Sequence, residues 1–382
     1  MQQADRVGGM RLALVSETCA PEVNGVALTL GHLLYGLRQR GHWVELVRPR
    51  QLRGDRGGHG EFTVAGLPLP GYAGLRFGLP AGRILLQRWR EQRPDLVHVV
   101  TEGPLGWSAV SAARRLGIPV TSGYHTNFAR YSLHYRLGWL RPAVASYLRG
   151  FHRRTQATLV PTAALAAELA GEGVPGVQVV GRGVDSSLFG PQRRNPGLRH
   201  LWGAGPDDPV CLFVSRLAPE KNLADVVRAF VALRQQQPAA RMVWVGDGPA
   251  RAALQRAHPE HVFCGEQRGE KLAEHYASAD LFLFPSLSET WGNVVGEAMA
   301  SGLPVLAYRS AAAAELIVDG TNGRVVAPGD SAAFVTAAGQ LAADPVGRRR
   351  IGQAARESVQ QRGWSEVVAR FEGILRQVIG GG

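Results

Sequence analysis

The stretch FPSLSETWGNVVGEAMASGLPVLA, residues 284 to 307, sets the fold that we expect for the whole chain. The apolar run Leu281 to Phe284 predicts a buried strand, a helix begins near Asn293 after a polar loop, and a second apolar strand starts at Leu303. Strand, helix and strand in this order are typical of a parallel α/β sheet. Ligands bind such sheets where the carboxyl end of a strand meets the amino end of a helix.

Two carboxylates lie in this stretch, Glu289 in the loop and Glu297 in the helix, with seven residues between them. A helix that begins at Gly292 or Asn293 places Glu297 about one turn inside, so both acids can face one crevice. The first-turn N–H groups of Gly292, Asn293 and Val294 lack partners within the helix and suit a phosphate. Taken alone, each acid is more often a solvated residue near a helix start.

Length and composition indicate an ordinary globular protein of two domains. The chain has 382 residues, of which 45% are hydrophobic and 19% charged, so disorder is not indicated. Cys19, Cys211 and Cys264 are widely separated and have no metal-ligand spacing, which fits buried residues in a reducing compartment. No apolar run approaches the roughly 18 residues of a membrane span, and we expect a cytoplasmic protein.

The positive charge lies in the first half of the chain. Residues 1–184 hold 22 Lys and Arg against 11 Asp and Glu, while the whole chain has a formal charge of +12. This excess suggests an anionic membrane surface, since no nucleic-acid-binding pattern is present; Arg-rich composition that only keeps the protein soluble is the alternative. Lys221 and Lys271 are the only lysines, which makes Lys221 a candidate for a compact ammonium contact.

Alternation of strands and helices occurs twice along the chain and predicts two doubly wound sheets. Residues 185–208 are rich in Pro, Gly, Arg and Asp and predict a linker and hinge between the two halves. The predicted strands are RLALVS, HWVELV, DLVHVV, IPVTSGY, ATLVPT and VQVVGRGV in the first half, and VCLFVSR, ARMVWVG, HVFCG, DLFLFP and LPVLA in the second.

Four residues at strand ends are candidates for binding or catalysis. Gly25 precedes the first helix and could let a phosphate approach the backbone, although a lone Gly is usually a turn. His125 directly follows a strand, although a lone His is more often structural. Arg216 ends another strand, with Lys221 five residues on, and two such cations can neutralise a leaving diphosphate; a salt bridge is the alternative for Arg216.

The stretch YHTNFARYSLHYRLGWLRP, residues 124 to 142, is dense in aromatic and basic side chains. With Arg130, Tyr131 and Arg136 it could form an amphipathic surface for an acceptor or a lipid interface. Several of the same residues would serve equally well as core contacts of an irregular helix.

The motif SETWGNVVGEAMASGLPVLA resembles the signature of the retaining glycosyltransferases of family four, also called group 1. The resemblance covers about residues 11 to 375 and implies the GT-B fold, an α/β architecture of two doubly wound Rossmann-like domains facing across a cleft. It implies an acceptor domain at residues 1–184, on which a last helix at 363–382 packs back, and a nucleotide-sugar domain at 185–362.

The same resemblance implies a role for each acid and for the backbone around them. Glu289 is expected to act in catalysis by contacting hydroxyl groups of the donor sugar, and Glu297 to bind the ribose. The amides of Gly292 to Val294 are expected to hold the diphosphate, over which Gly25 closes.

Roles for the basic residues also follow from the resemblance. His125 is expected to contact the donor sugar and assist catalysis, and Arg216 and Lys221 to neutralise the diphosphate. The run GRGVD departs from the usual Asn-Gly-Val-Asp, and the effect of Arg182 is not derivable from sequence.

The runs SETCAPEVNGVALTLGHLL, SGYHTNFARY and GRGVD are similar to those of bacterial GDP-mannose-dependent α-mannosyltransferases and of enzymes that glycosylate diacylglycerol or phosphatidylinositol. This implies retaining transfer of a hexose, mannose first, from a nucleotide diphosphate sugar to a lipid or lipid-linked glycan. A UDP-sugar-dependent diacylglycerol glycosyltransferase is the alternative, followed by a nucleotide-sugar epimerase and a non-catalytic nucleotide-sugar-binding protein.

The expected partners are the donor, the acceptor and an anionic membrane surface, with no nucleic acid. We expect a peripheral position on the inner face of the cell membrane. No Asp-x-Asp motif suggests a metal site, so we expect no metal and no cofactor.

Overall fold

The computed structural model describes residues 8–22, 24–52, 54–68, 76–125 and 141–381. The chain divides into two units, the first comprising Met1–Arg182 with Trp364–Gly382 and the second Gly183–Gly363. The chain passes from the first unit to the second after Arg182, two residues before the boundary at 184 that the sequence predicts. Each unit is an α/β structure built on a parallel sheet.

The first unit contains a seven-stranded parallel sheet in the order β3-β2-β1-β6-β7-β8-β9, and β4 and β5 pair separately as an antiparallel ribbon. Its strands are β1 (Arg11–Val15), β2 (Trp43–Pro49), β3 (Glu61–Val64), β4 (Gly66–Pro68), β5 (Arg76–Gly78), β6 (Leu96–Val99), β7 (Val120–Gly123), β8 (Ala157–Val160) and β9 (Val177–Val179). Its first helices are α1 (Gly25–Gln39), α2 (Gly82–Glu91), α3 (Pro104–Arg115), α4 (Arg141–His152) and α5 (Ala163–Gly171).

The last helix, Trp364–Gly380, belongs to the first unit and packs on α1. Close approach is possible because residue 36 is Gly, since a Cβ there would lie only 2.5 Å from Cγ2 of Val368. Phe371 and Leu375 of the last helix enter the same apolar cluster as residues of β1 and α1. Glu372 adds an ion pair with Arg40, whose Nε lies 2.5 Å from the carboxylate.

The second unit contains a six-stranded parallel sheet in the order β12-β11-β10-β13-β14-β15. Its strands are β10 (Val210–Val214), β11 (Arg241–Val245), β12 (Val262–Phe263), β13 (Leu281–Phe284), β14 (Val305–Tyr308) and β15 (Arg324–Val326). Its helices are α6 (Pro196–Leu201), α7 (Leu223–Gln236), α8 (Arg251–Ala257), α9 (Gly269–Ser278), α10 (Asn293–Ala300), α11 (Ala311–Leu316), α12 (Ser331–Ala343) and α13 (Pro345–Val359), so the last helix is α14.

Each sheet has a point where the chain order of its strands reverses, between β1 and β6 in the first unit and between β10 and β13 in the second. Loops on either side of such a point diverge and leave a crevice beyond the carboxyl ends of the strands. Strands β10 and β13 are buried along their whole length, which fixes the start of both loops. Among the described residues, no helix combines the length and apolarity that crossing a membrane requires.

Candidate functional site

The loops that follow β10 and β13 lie side by side at the switch point of the second unit and are joined by hydrogen bonds. Asn222 donates from Nδ2 to the carbonyl oxygen of Pro285 at 2.8 Å, and Ser288 donates from Oγ to the carbonyl oxygen of Glu220 at 3.4 Å. Asn222 has φ of 52°, a left-handed conformation that Asn tolerates better than most residues. The two loops therefore form one support for functional side chains.

Lys221 and Glu289 form an ion pair across these two loops. The Lys221 ammonium also donates to Oγ of Ser288 at 3.4 Å, and Ser286 donates from Oγ to Oε1 of Glu289 at 3.0 Å. Lys221 is only 6% exposed, and an ammonium so deeply buried requires a counter-charge. The structure thus brings together two of the residues that the sequence predicts for the donor site.

Arg216 lies at the end of β10 beside a buried carboxylate. Its Nη1 atom is 3.8 Å from Oε1 of Glu220, which is 2% exposed, whereas the Arg216 side chain is 39% exposed. Glu220 therefore anchors a guanidinium that still reaches solvent. The salt bridge that was the alternative for Arg216 is present, and it leaves part of the cation exposed, so the predicted contact with the diphosphate stays a prediction.

The glycines of the turn after β11 serve packing of the loops. Gly246 has φ of 131°, and a Cβ there would lie 2.0 Å from the carbonyl oxygen of Ser215. Gly248 has φ of 156°, and a Cβ there would lie 2.4 Å from the carbonyl oxygen of Leu217. The Gly-rich turn VGDGP thus lets one loop pack on the backbone of the loop that carries Arg216.

Helix α10 begins beside the Lys221–Glu289 pair, with Gly292 as its N-cap in a left-handed conformation at φ of 90°. No side chain in the described part of the chain caps this helix. Asn293 and Val294 are its first two residues, so their N–H groups carry the positive end of the helix dipole. This is the environment predicted for a phosphate, and it lies next to the side chain of Glu289.

Glu297 lies within α10 and accepts a hydrogen bond from the hydroxyl group of Tyr276 at 2.9 Å. Tyr276 is buried on α9. Burial raises the pKa of Glu297 to about 7, although the bond from Tyr276 opposes the shift. Near neutral pH this carboxyl group is therefore divided between its two protonation states, and it can either accept or donate a hydrogen bond.

Gly25 is the first residue of α1 in the first unit. Oδ1 of Asn24 accepts the N–H groups of Val26 at 3.1 Å and Ala27 at 2.9 Å. Asn24 is held in turn by Nδ2 donating to Oγ1 of Thr18 at 2.7 Å. Two first-turn amides of α1 are thus satisfied by the chain itself, and the predicted contact of Gly25 with a diphosphate stays a prediction.

His125 follows β7 and is buried, with 9% of its surface exposed. Nη2 of Arg182 lies 2.6 Å from its Nδ1 atom. Burial, the charge of Arg182 and the nearby rings of His98 and His152 hold the pKa of His125 well below its usual range. The ring is therefore neutral at physiological pH, and its contact with a sugar stays a prediction.

Arg130, Tyr131 and Arg136, which the sequence proposes for the acceptor or the membrane, lie outside the described residues. Their role stays a prediction.

One group of three potential metal ligands lies together within the described residues, formed by His258, Glu260 and His261. Nε1 of Trp244 donates to Nδ1 of His261 at 3.2 Å, so a neutral His261 carries its proton on Nε2, which lies 3.5 Å from Glu260. Burial lowers the pKa of His261 to about 4, which keeps it neutral. With Nδ1 accepting from Trp244 and the proton on Nε2, His261 has no nitrogen lone pair left for a metal.

Sequence reasoning missed several residues that support the site. Ser286 and Ser288 are small polar residues between a buried strand and Glu289, and this pattern could have revealed them. Glu220, beside Lys221, carried a similar local signal. Tyr276 gave none, because it reaches Glu297 from another helix.

The two α/β units, each built on a parallel sheet, define the GT-B fold. The structure superposes on the sucrose-phosphate synthase of Thermosynechococcus elongatus with a TM-score of 0.78 at 19% identity, covering 98% of this chain and 100% of that one. This likeness establishes the fold and confirms the fold class that the sequence predicts.

The family follows from sequence. Residues 23–188 match the model described as Glycosyltransferase Family 4, and residues 208–344 match the model described as Glycosyl transferases group 1. The GDP-mannose-dependent alpha-mannosyltransferase of Mycolicibacterium smegmatis is 36% identical, over 96% of this chain and 98% of that protein. The alpha-monoglucosyldiacylglycerol synthase of Streptococcus pneumoniae is 28% identical, over 81% of this chain and 74% of that protein. The chain belongs to glycosyltransferase family 4 and is a hexosyltransferase that uses a nucleotide sugar.

Proposed function

We propose that this enzyme transfers mannose from GDP-mannose to a lipid or lipid-linked glycan and forms an α-glycosidic bond. The name of the Mycolicibacterium relative, a GDP-mannose-dependent alpha-mannosyltransferase that is similar over nearly the full length of both chains, supports the donor. The Streptococcus relative supports a lipid acceptor. The single observation that carries the donor site is the Lys221–Glu289 ion pair at the switch point of the second unit. The pair lies beside the start of α10, which no side chain of the described residues caps.

The proposed chemistry assigns opposite charges to the two sides of the breaking bond. The bond between the anomeric carbon and the diphosphate oxygen breaks, its electron pair leaves with the diphosphate, and the sugar becomes cationic. Arg216, Lys221 and the first amides of α10 stabilise the leaving group, because fixed donors act strongly where charge develops. Glu289 holds hydroxyl groups of the sugar, and its carboxylate also opposes the positive charge of the sugar.

We infer that the acceptor hydroxyl attacks the anomeric carbon from the face that the diphosphate leaves and passes its proton to the departing diphosphate oxygen. A double displacement needs a carboxylate nucleophile close to the anomeric carbon. Glu289 is bound by Lys221 and Ser286, which stabilise its charge and reduce its nucleophilicity. Nuclear magnetic resonance of the product should show retention, and isolation of a covalent sugar ester of Glu289 would refute this mechanism.

We propose that transfer needs no metal ion, because Arg216 and Lys221 supply the cations that the diphosphate requires. Transfer should be unchanged in excess EDTA. Loss of activity in EDTA that Mg²⁺ or Mn²⁺ restores would contradict this proposal.

We propose that the enzyme binds the membrane peripherally through the excess positive charge of residues 1–184. Vesicles that contain phosphatidylglycerol should sediment the protein, and phosphatidylcholine vesicles should not. Because the attraction is electrostatic, salt should release the protein. Equal binding to both vesicles would contradict the proposal.

A donor panel with and without lipid acceptors tests the proposed function. GDP-mannose should give a mannolipid faster than UDP-glucose, UDP-galactose or UDP-N-acetylglucosamine gives any product. If UDP-glucose and diacylglycerol give a glucolipid instead, the enzyme is a glucosyltransferase and not a mannosyltransferase, and its product is the one in the name of the Streptococcus relative. A new sugar nucleotide formed without acceptor would indicate an epimerase, and donor binding without turnover would indicate a binding protein.

A further inference from the structure

The side chain of Arg182 is held by its own segment and points at His125. Its Nη1 atom donates to the carbonyl oxygens of Val180 at 3.2 Å and Gly181 at 3.1 Å, while Nη2 lies 2.6 Å from Nδ1 of His125. Arg182 and His125 are each only 9% exposed. The guanidinium is therefore fixed in place before it meets the ring.

This contact determines where His125 carries its proton. A guanidinium has only donors, so Nδ1 of His125 must accept. A neutral imidazole that accepts at one nitrogen carries its proton on the other, which here is Nε2. Arg182 remains charged at neutral pH because burial lowers its pKa only to about 10.

Other titratable groups around the ring do not reverse this assignment. Among the described residues, His98 of β6 and His152 of α4 act on His125 besides Arg182, and both disfavour its protonation. Burial lowers the pKa of His98 to about 3, so it adds no charge. His152 has a carboxylate of its own, with Nε2 at 3.5 Å from Oε1 of Glu102.

Gly123 at the end of β7 completes the arrangement. A Cβ at this position would lie 2.3 Å from Nε2 and 2.9 Å from Cδ2 of His125. The orientation of the ring that meets Arg182 thus depends on the absence of a side chain at residue 123.

We propose that Arg182 is a positioning residue that fixes His125 as the Nε2–H tautomer, so that His125 donates a hydrogen bond and does not accept a proton during transfer. The contact of His125 with the donor sugar rests on the proposed function, whereas the tautomer does not. Arg182 is also the last residue of the first unit before the chain enters the second. The residue at this crossing therefore sets the protonation of a candidate catalytic group.

Nitrogen-15 spectra of histidine-labelled full-length protein test the tautomer directly. His125→Gln identifies the signal of His125 by its loss. In the wild type, the signal should be that of a neutral Nε2–H ring from about pH 5.5 to 8. Arg182→Met should produce a mixture of tautomers and a titration closer to the usual pKa of about 6.5, because the donor and the charge are both lost. Arg182→Lys should preserve the tautomer, because an ammonium, like a guanidinium, has donors only.

Kinetics of the same variants test the consequence for transfer. Arg182→Met should lower kcat roughly tenfold and add an acidic limb to its pH profile, as expected when a positioned donor is lost. Arg182→Lys should retain most of kcat. Arg153→Met is the matched control, because Arg153 also binds backbone carbonyls, of Gly173 and Glu172, but at the surface.

An unchanged tautomer and pH profile in Arg182→Met would overturn the proposal. If circular dichroism shows that Arg182→Met does not fold, Arg182→Gln replaces it, since its amide can accept as well as donate and should admit the Nδ1–H tautomer that Arg182→Lys must exclude. A protein inactive with every donor would refute the proposed function, and the spectra would still decide the tautomer.

Discussion

Two helices begin at the switch points of the two sheets, and they differ in how their first amides are satisfied. At the start of α1, Asn24 accepts the N–H groups of Val26 and Ala27. At the start of α10, Gly292 occupies the N-cap and no side chain of the described residues caps the helix. An anion can bind α10 without displacing a protein group, whereas at α1 it competes with Asn24. On this comparison we expect the main phosphate contacts in the second unit.

The charged groups near these helices differ in the same way. In the second unit, Lys221 is paired with Glu289, so a cation and an anion are held together. In the first unit, Arg182 faces a neutral acceptor, Nδ1 of His125. The contact between Arg182 and His125 fixes the position of a proton, whereas the Lys221–Glu289 pair holds charges that a substrate can use.

Loss of the charge pair should have the largest effect. Lys221→Met leaves Glu289 without its counter-charge and removes a cation from the diphosphate, so we expect kcat/KM to fall about 100-fold or more. Lys271→Met is the matched control, because Lys271 is the other lysine and is exposed on α9. Steady-state transfer assays measure both. Activity of Lys221→Met within a few fold of the control would remove the pair from the donor site.

Substitution at the two helix starts should have a smaller effect, on different quantities. Gly292→Ala forces Ala into φ of 90° and brings a Cβ to 3.3 Å from Cγ of Glu289, so the KM for the donor should rise. We expect a rise of roughly tenfold, since a left-handed Ala costs about 1–2 kcal/mol. Asn24→Ala should instead lower the free energy of unfolding by about 1 kcal/mol with little change in the KM for the donor.

Chemical denaturation and donor titration of both variants test this difference. Equal increases in the KM for the donor would show that the two helix starts contribute alike, and the comparison would fail.

Local sequence patterns predicted the strands and helices better than they predicted the residues that hold the site residues in place. The strand Leu281–Phe284 and the start of α10 at Asn293 lie where the apolar run and the loop place them, because buried strands and helix starts have local signals. The contact of Arg182 with His125 joins residues that are 57 positions apart, and the bond of Tyr276 to Glu297 comes from a neighbouring helix. Such contacts depend on packing of whole elements, which no local pattern encodes.

Glu297 should respond to pH near neutrality, and this is the smallest effect that we expect. The pKa of Glu297 is raised to about 7, and the bond from Tyr276 lowers it. Tyr276→Phe should therefore raise that pKa further. If the ribose is bound by the ionised form, GDP affinity should increase as pH rises through about 7 in the wild type, with a higher midpoint in Tyr276→Phe.

Calorimetric titration with GDP between about pH 6.5 and 9 measures both midpoints, and the titration of the nucleotide phosphate cancels in the difference. We expect Tyr276→Phe to bind GDP about threefold more weakly than the wild type near pH 7, and this difference should disappear at high pH.

Stability gives an independent check on the pKa of Glu297. A carboxyl group whose folded pKa is raised loses its contribution to stability as pH rises from its usual pKa of 4.5 to about 7. Glu297→Gln, which does not titrate, should therefore gain thermal stability relative to the wild type between about pH 4.5 and 7, with no further change above pH 7. A difference independent of pH would show that the pKa of Glu297 is the same in the folded and unfolded protein, as that of a solvated acid would be.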